Sequence, residues 1–328
     1  MNSSFNWGII GPGKIAHKFA HDLQFIPRAK LHAVASRDGY RAATFAKQFG
    51  APYHFGNYAD ILTCPNLDAV YIATPHAGHF ENTILCLEKG IPVLCEKPLA
   101  MNSRQVELMI AAAKRSGTFL MEALWTRFTP SMQKVVSLIR EGKIGEILGV
   151  KADFGFRAAV PTEHRILNKA LGGGALLDVG IYPAFLALLL LGKPAEVKAM
   201  GRIGSTGVDE ETHALLRFQG GQLAHLFSSI VSHTQTEAFI YGEEGTLHLH
   251  SRWHEQTNLS FLKSKTPPEV YHFEKLGFGY HYEALEVMSC IEAGKIESEL
   301  WPHSLSMELI LLLDAIRREI GLIYPEDE

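Results

Sequence analysis

The chain has 328 residues, of which 47% are hydrophobic and 20% are charged, and its formal net charge is −4. This length exceeds one ordinary hydrophobic core, so we expect two domains. Because the net charge is small and acids and bases are interspersed, nucleic acids and anionic membranes are poor candidates as partners. The most apolar run, residues 184–191, is far shorter than a membrane span. The four cysteines are irregularly spaced and the sequence starts without an apolar export signal, so we expect a soluble, cytoplasmic protein with reduced thiols.

The first motif joins a predicted strand, Phe5–Ile10, to a predicted helix through Gly11-Pro12-Gly13-Lys14-Ile15-Ala16. Gly11 permits the tight turn, Gly13 lets a pyrophosphate approach the backbone, and Ala16 lets the helix pack on the strand. The free N–H groups and the positive end of the helix dipole then face the phosphates. With a second predicted strand at residues 30–35, the pattern indicates a dinucleotide-binding domain.

The second predicted strand ends at Ser36-Arg37-Asp38, where a site for NAD usually has a carboxylate that holds the ribose 2′-hydroxyl. Ser36 stands at that tip instead. A hydroxyl beside a guanidinium suits a 2′-phosphate, because Ser36 can donate to it and Arg37 can neutralise it and lie against the adenine. The sequence therefore favours NADP(H) over NAD(H), although the carboxylate of the nearby Asp38 would favour NAD(H). An exposed Arg37 that contacts nothing is the alternative interpretation.

Strands and helices continue to alternate up to residue 123, which predicts a doubly wound parallel sheet. The predicted elements are a helix at Gly39–Phe49, strands at Tyr53–Phe55 and 69–73, a helix at 81–89, a strand from Ile91, a helix from Ser103 to about Gly117, and a last strand at 118–123. Two of these strands end in Thr74-Pro75-His76 and Glu96-Lys97-Pro98. Both loops should share the ligand-binding edge with Gly11. Taken alone, Glu96-Lys97-Pro98 is also what a solvated turn would show.

The alternation stops after residue 123, so we predict a cofactor-binding Rossmann domain at residues 1–123 and a substrate-binding and dimerisation domain at residues 124–328. In the second half, three glycines at Gly172-Gly173-Gly174 precede a predicted helix that runs from Ala175 to about Leu191. Asp178 and Tyr182 are four residues apart and should share one face of this helix. A core tyrosine hydrogen-bonded to a core carboxylate would explain this pair equally well.

The remainder is rich in short strands joined by glycine turns, which predicts an α+β domain with a large, mostly antiparallel open sheet. The predicted strands are 196–202, 213–218, 223–230, 238–241, Thr246–Leu249, Leu259–Leu262 and 270–273, with a long run at 146–156 before them and helices at 131–141, 282–293 and 304–320. A second subunit would cover the open face most simply, so we expect a homodimer or a larger homo-oligomer that assembles through this sheet. His248 and His250 point the same way, but no third ligand is spaced with them, so cross-strand packing is favoured over metal binding.

Three motifs in this order resemble those of the glucose–fructose oxidoreductase/inositol dehydrogenase (Gfo/Idh/MocA) family: residues 8–16, Glu96-Lys97-Pro98 and residues 172–180. The similarity spans essentially the whole chain. Residues 122–128 and 301–305 further resemble the dimeric trans-dihydrodiol/D-xylose dehydrogenase branch, which is NADP-dependent. Many family members carry histidine at the position of Tyr182, and the tyrosine agrees with the dihydrodiol and glucose–fructose branches.

The resemblance implies that Lys97 is catalytic and that Tyr182 is the proton donor. From its spacing to Tyr182 we predict Asp178 as the third catalytic residue. The resemblance also implies that Glu96 and Thr74 contact the nicotinamide half of the cofactor and that three aromatic residues line the substrate pocket, although an ordinary core position would explain each of these aromatics, Trp125, Phe154 and Phe278, equally well. The predicted cofactor-binding residues are Gly11, Pro12, Gly13, Lys14, Ile15, Ser36, Arg37, Thr74, Pro75, His76, His79, Glu96, Lys97 and Trp125. The predicted substrate-binding residues are Trp125, Phe154, Asp178, Tyr182 and Phe278.

Oxidation of an alcohol requires a hydride to pass to the nicotinamide and a proton to leave the oxygen on the same carbon. An unperturbed tyrosine, with a pKa of about 10, is a poor base at neutral pH. A Lys97 ammonium and the charge of the oxidised nicotinamide would both favour the phenolate of Tyr182, and Asp178 would orient it or the substrate. We therefore predict an NADP(H)-dependent oxidoreductase that acts on a sugar, a cyclic trans-diol or a related hydroxy or carbonyl compound. A non-catalytic NAD(P)-binding regulator and an NAD-dependent glycosidase on the same fold are the alternatives.

Overall fold

The computed structural model describes residues 4–328. The chain forms two compact units: the first runs through Phe128 and includes Leu276–Ser306, and the second consists of Thr129–Lys275 and Met307–Glu328. Each unit is therefore discontinuous in sequence. We predicted that the domain up to residue 123 binds the cofactor and that the domain after it binds the substrate. This assignment of functions to the two domains stays a prediction.

The secondary structure follows the predicted order closely. The helices are α1 (Lys14–Leu23), α2 (Gly39–Phe49), α3 (His79–Leu87), α4 (Ser103–Ser116), α5 (Pro130–Arg140), α6 (Ile181–Leu191), α7 (Tyr280–Glu292) and α8 (His303–Ile320). The strands are β1 (Phe5–Ile10), β2 (Ala29–Ala35), β3 (Tyr53–Phe55), β4 (Ala69–Ile72), β5 (Val93–Glu96), β6 (Leu120–Ala123), β7 (Ile147–Gly155), β8 (Glu196–Ile203), β9 (Asp209–Arg217), β10 (Leu223–Ser229), β11 (Ala238–Gly242), β12 (Thr246–Leu249), β13 (Leu259–Leu262) and β14 (Glu269–Tyr271).

The first unit contains a six-stranded sheet with the order β3-β2-β1-β4-β5-β6. All of its neighbouring strands are parallel, which confirms the predicted doubly wound sheet. Every residue of β4, β5 and β6 is buried, as expected of strands covered on both faces. The strand order reverses between β1 and β4, and doubly wound folds bind their ligands at such a switch point.

Local capping explains where the helices of this unit begin and end. The side chain of Asn102 accepts a hydrogen bond from the Gln105 N–H and starts α4, and Gly117 ends it in the left-handed conformation with φ = 62°. A glycine adopts this conformation at little steric cost. The apolar repeat Ile15, Phe19 and Leu23 predicts the inner face of α1. In the structure Phe19 and Leu23 are buried and Ile15 is half-buried.

The second unit contains an eight-stranded sheet with the order β14-β13-β12-β11-β7-β10-β9-β8. Most neighbouring strands of this sheet are antiparallel, which confirms the predicted mostly antiparallel sheet, but the strands do not follow one another in chain order. The earlier strand β7 lies at the centre, antiparallel to β11 and parallel to β10. The pattern of apolar and polar residues can identify β7 as a strand. The strands that it pairs with are distant in sequence, so its central place could not be predicted from local sequence.

The predicted continuous helix at residues 175–191 also differs. Residues Leu176–Gly180 form a π-helical turn, and α6 begins at Ile181. Pro183, the third residue of α6, has no N–H to donate to the Val179 carbonyl, so one α-helical hydrogen bond between α6 and the π-helical turn is missing. π-Helical turns inside α-helices occur frequently at functional sites.

One helical stretch, Lys169–Leu191, is long and apolar enough to cross a membrane by length and composition, but 83% of its most apolar window is buried within the structure. A core helix has this pattern, so the stretch is weak evidence for a membrane span.

Candidate active site

The turn after β1 lies against the end of β4 at the switch point. Gly11 has φ = 87°, and a Cβ there would lie 2.9 Å from the backbone carbonyl of Ala73, so only glycine fits. Gly13 precedes α1 as its N-cap, and apart from its chain neighbours the nearest atom to a Cβ there would be Gly11 O, 4.0 Å away. A phosphate can approach this helix N-terminus closely, and the free N–H groups favour it. Among the flanking residues, Pro12 is buried, Ile15 is half-buried and Lys14 is exposed.

The residues that directly follow β2 are Ser36 and Arg37. Ser36 is buried, and its Oγ accepts a hydrogen bond from the Asp38 N–H at 3.1 Å, which leaves its hydroxyl hydrogen able to donate elsewhere. Arg37 is exposed. The carboxylate of Asp38 caps α2 by accepting hydrogen bonds from the N–H groups of Tyr40 and Arg41 at 2.9 and 3.2 Å. Asp38, the residue that weakened the argument for NADP(H), therefore has a structural function as a helix cap.

The loops after β4 and β5 are joined by His79. Its ring is buried, and its two nitrogens lie 3.0 Å from the Thr74 carbonyl oxygen and 2.8 Å from the Pro98 carbonyl oxygen. His76 is also buried, with its ring 5.6 Å from that of His79, and Pro75 between the loop residues is half-buried. The Thr74 Oγ1 is buried and has no hydrogen-bond partner among residues 4–328. An orphaned hydroxyl at this edge fits a contact with a bound dinucleotide.

The loop with Lys97 begins with a buried carboxylate. Glu96 accepts hydrogen bonds from the hydroxyl of Tyr71 and from the Lys97 N–H, and the Lys97–Pro98 peptide bond is cis. Burial and the charge of Glu96 raise the pKa of Tyr71 well above its usual value, so this phenol stays a donor. Burial and the charges of Glu96 and Asp22 likewise raise the pKa of Glu283 well above its ordinary value.

A second buried carboxylate, Glu122, holds the other end of the same loop. It accepts hydrogen bonds from the Leu99 N–H at 2.9 Å, from the Trp301 indole N–H at 3.1 Å and from the Ser306 hydroxyl at 2.7 Å. Burial raises the pKa of Glu122 despite these contacts. Glu122 therefore links the backbone just after Pro98 to Trp301 and Ser306, which belong to the segment Leu276–Ser306 of the first unit.

Two predicted substrate-pocket aromatics lie in the first unit. Trp125 is buried and stacks on Tyr280 with ring centroids 4.6 Å apart, and Phe278 is 40% exposed. The segment with Phe278 and Tyr280 is held by Asp22, whose carboxylate accepts hydrogen bonds from the N–H groups of both residues. Burial opposes ionisation of Asp22, but contacts with histidines and these N–H groups lower its pKa overall.

In the second unit, Tyr182 and Asp178 are both almost fully buried. Tyr182 lies in the first turn of α6, and Asp178 lies in the preceding π-helical turn. The guanidinium of Arg165 donates a hydrogen bond to Asp178 Oδ1 at 3.0 Å. The predicted pair therefore consists of a buried phenol and a carboxylate that is already in contact with a cation.

The third aromatic predicted for the pocket, Phe154, contacts Tyr182 directly. Its ring centroid lies 5.6 Å from that of Tyr182 and 4.0 Å from that of His254, on which it stacks, and the centroids of Tyr182 and His254 are 5.3 Å apart. Burial alone would raise the pKa of Glu255, but hydrogen bonds from two cationic side chains lower it to about 2. The carboxylate lies 3.8 Å from His254.

The structure thus groups the predicted residues by unit: the glycine turn with Ser36, Thr74, Lys97 and Trp125, and separately Phe154 with Tyr182. Phe278, predicted for the second domain, belongs to the first unit. No role was predicted from the sequence for Glu122, His254 or Arg165. Glu122 lies in the segment 122–128 that resembles the dihydrodiol branch, whereas His254 and Arg165 lie in no motif, and each of the three is defined by contacts with residues elsewhere in the chain. Within the described part of the chain, no group of three or more His, Cys, Asp or Glu side chains is placed to hold a metal ion.

A parallel sheet with strand order 3-2-1-4-5-6 and a glycine turn at its switch point defines a dinucleotide-binding Rossmann domain. The family model described as "Oxidoreductase family, NAD-binding Rossmann fold" matches residues 5–124, and "GFO/IDH/MocA C-terminal domain" matches residues 132–248. The chain belongs to the Gfo/Idh/MocA family and is an NAD(P)-binding oxidoreductase.

Among curated relatives, a trans-1,2-dihydrobenzene-1,2-diol dehydrogenase of Danio rerio is 38% identical over 335 residues, which covers 99% of both chains. Among solved structures, KijD10, a 3-ketoreductase from Actinomadura kijaniata in complex with NADP and TDP-benzene, is 26% identical with a TM-score of 0.87, and covers 97% of this chain and 98% of its own. An aldose-aldose oxidoreductase from Caulobacter crescentus is 25% identical over the same shares, also with a TM-score of 0.87.

Proposed function

We propose that this protein is an NADP(H)-dependent dehydrogenase or reductase that transfers a hydride between the nicotinamide and a sugar, a cyclic trans-diol or a related hydroxy or carbonyl compound. The observation that carries the proposal is the buried phenol of Tyr182 on a helix start beside Asp178, in a chain whose Rossmann turn fits a dinucleotide. The similar proteins are named a trans-1,2-dihydrobenzene-1,2-diol dehydrogenase, a 3-ketoreductase and an aldose-aldose oxidoreductase, and these names support the proposed substrate classes.

The bound nicotinamide would supply the hydride chemistry, and this chain's residues would supply the rest. Gly13 and the N-terminus of α1 would hold the pyrophosphate, and the Thr74 hydroxyl would contact the nicotinamide half. Tyr182 would give or take the proton at its phenolic oxygen, with the Lys97 ammonium stabilising the phenolate. Phe154 and His254, stacked beside Tyr182, would exclude water from the phenol and contact an apolar face of the substrate.

Preference for NADP(H) rests on the tip of β2. Ser36 and Arg37 offer a donor and a positive charge to a 2′-phosphate, and Asp38 is committed to capping α2. We expect NADPH to bind more tightly than NADH in a titration of cofactor fluorescence. Arg37→Ala should weaken NADPH binding by about 10- to 100-fold through loss of charge-assisted hydrogen bonds and leave NADH binding unchanged, whereas Arg115→Ala, an exposed control on α4, should change neither. Tighter binding of NADH by the native protein would overturn this part of the proposal.

The reaction itself is tested with a substrate panel. Trans-1,2-dihydrobenzene-1,2-diol, D-xylose and other aldoses, each with NADP⁺, and dicarbonyls with NADPH, should give net changes in the near-ultraviolet absorbance of the cofactor for at least one class. No net change with any of them, accompanied by release of free sugar from a glycoside, would identify an NAD-dependent glycosidase instead. No reaction in either assay, with cofactor binding intact, would indicate a non-catalytic regulator.

A further inference from the structure

The helix start that carries Tyr182 is held by one buried carboxylate outside every motif. Asp209, the first residue of β9, is fully buried, and its Oδ2 accepts hydrogen bonds from the Leu176 N–H at 2.7 Å and from the Thr212 hydroxyl at 2.9 Å. Leu176 opens the π-helical turn that contains Asp178. The first turn of a helix leaves N–H groups without intrahelical partners, so this contact satisfies one of them.

Two glycines before the helix have no room for a side chain, and one of them lies against the same carboxylate. Gly174 has φ = 123°, and a Cβ there would lie 2.2 Å from Asp209 Oδ1. A Cβ at Gly173 would lie 2.6 Å from the Arg165 carbonyl oxygen. The glycines are therefore required by contacts inside the second unit: they let the chain pass Asp209 and enter the helix at a fixed angle.

The carboxyl-terminal segment completes this arrangement. Tyr324 is buried, and its hydroxyl donates a hydrogen bond to the Gly173 carbonyl oxygen at 2.6 Å. The guanidinium of Arg317 donates a hydrogen bond to the Asp327 carboxylate at 2.7 Å and fixes the segment to α8. The turn at Gly173 is thus held from both sides, by β9 and by the last residues of the chain.

We propose that Asp209 is a positioning residue for the reaction: by capping the helix start at Leu176 it sets the place of Asp178 and Tyr182. The inference rests on the proposed function of Tyr182. The cap requires an oxygen acceptor and no charge. Burial raises the pKa of Asp209 to about 7, so the carboxyl group is partly protonated at neutral pH, and an amide oxygen should serve as well.

The test compares four variants, with trans-1,2-dihydrobenzene-1,2-diol and NADP⁺ as the kinetic probe and hydrogen–deuterium exchange of peptides covering residues 173–183 as the structural probe. Asp209→Ala should accelerate exchange in these peptides and lower kcat by about 10- to 100-fold, the scale of a misplaced catalytic group, with NADPH affinity unchanged. Asp209→Asn, which keeps the acceptor oxygen, should restore both. Thr212→Val, which removes the other donor to the same oxygen, should resemble the native protein. Tyr182→Phe should lose turnover with native exchange.

Native exchange in Asp209→Ala, or accelerated exchange in Asp209→Asn equal to that of Asp209→Ala, would overturn the proposal, and both readings are independent of the substrate. If exchange changes as expected but Asp209→Ala keeps native kcat, the positioning role is wrong. Retained turnover in Tyr182→Phe would instead refute the role of the tyrosine in the proposed function while leaving the cap itself intact.

Discussion

At the scale of single residues, the motifs could be found in the sequence, but the buried side chains that contact and position these motifs could not. Gly11 and Ser36 could be placed from a local pattern, because a strand, a turn and a helix follow each other directly. Glu122 could not, because its three donors lie at Leu99, Trp301 and Ser306, and only the folded chain brings them together. The same holds for His254, which lies in the loop between β12 and β13 and stacks on Phe154 of β7.

Glu122→Leu should destabilise the protein by about 3 kcal/mol or more, since three buried donors lose their acceptor at about 1–3 kcal/mol each. Equilibrium urea unfolding measures this difference. Glu299→Leu is the control: this carboxylate pairs with Lys295, but its side chain is 82% exposed, so its removal should change the stability by less than about 1 kcal/mol. Equal effects of the two substitutions would show that the Glu122 contacts do not stabilise the loop after Pro98.

At the scale of elements, most bounds followed from sequence because capping and periodicity are local. The helix α2 occupies the predicted residues Gly39–Phe49, with its start fixed by Asp38. Two features did not follow from local sequence. The first residue of the π-helical turn Leu176–Gly180 donates its N–H to the distant carboxylate of Asp209, and the place of β7 in the sheet depends on pairing with β10 and β11.

The buried cap at Asp209 gives a signed pH dependence of stability. Burial raises its pKa from the ordinary value of 3.8 to about 7, so between these values the native state binds more protons than the unfolded state. Stability from this group is therefore lost as pH rises from about 4 to 7, by up to about 4 kcal/mol. Asp209→Asn does not titrate, so its stability relative to the native protein should rise across this window in urea unfolding at pH 5 and pH 7.5. A constant difference between the two proteins at both pH values would contradict the raised pKa.

At the scale of the whole molecule, the two-domain α/β class followed from length and alternation, whereas the return of Leu276–Ser306 to the first unit did not. Along β9 and β10 exposed side chains alternate with buried ones, so one face of the second sheet is exposed there. On this face Leu215 is 58% exposed and Leu223 is 55% exposed. The rings of His213 and Phe227 stack on this face at 4.2 Å. We propose that a second copy of the chain covers it, as the sequence predicted.

Leu215→Glu should therefore shift the protein from dimer to monomer in sedimentation velocity, because a charge would be buried in the interface between the two copies. Leu108→Glu, at a leucine 45% exposed on α4, should leave the dimer unchanged. A native protein that sediments as a monomer would contradict the proposed assembly.

The central claim is that Tyr182 and Lys97 handle the proton of an NADP(H)-dependent reaction. The most direct measurement is steady-state turnover of Tyr182→Phe and Lys97→Met with NADP⁺ and the best substrate of the panel, alongside NADPH binding. We expect each substitution to lower kcat by about 10²- to 10⁴-fold, the contribution of a positioned acid or base, while the NADPH dissociation constant stays within a few fold of native. Near-native kcat in either variant would show that the residue does not carry the proton.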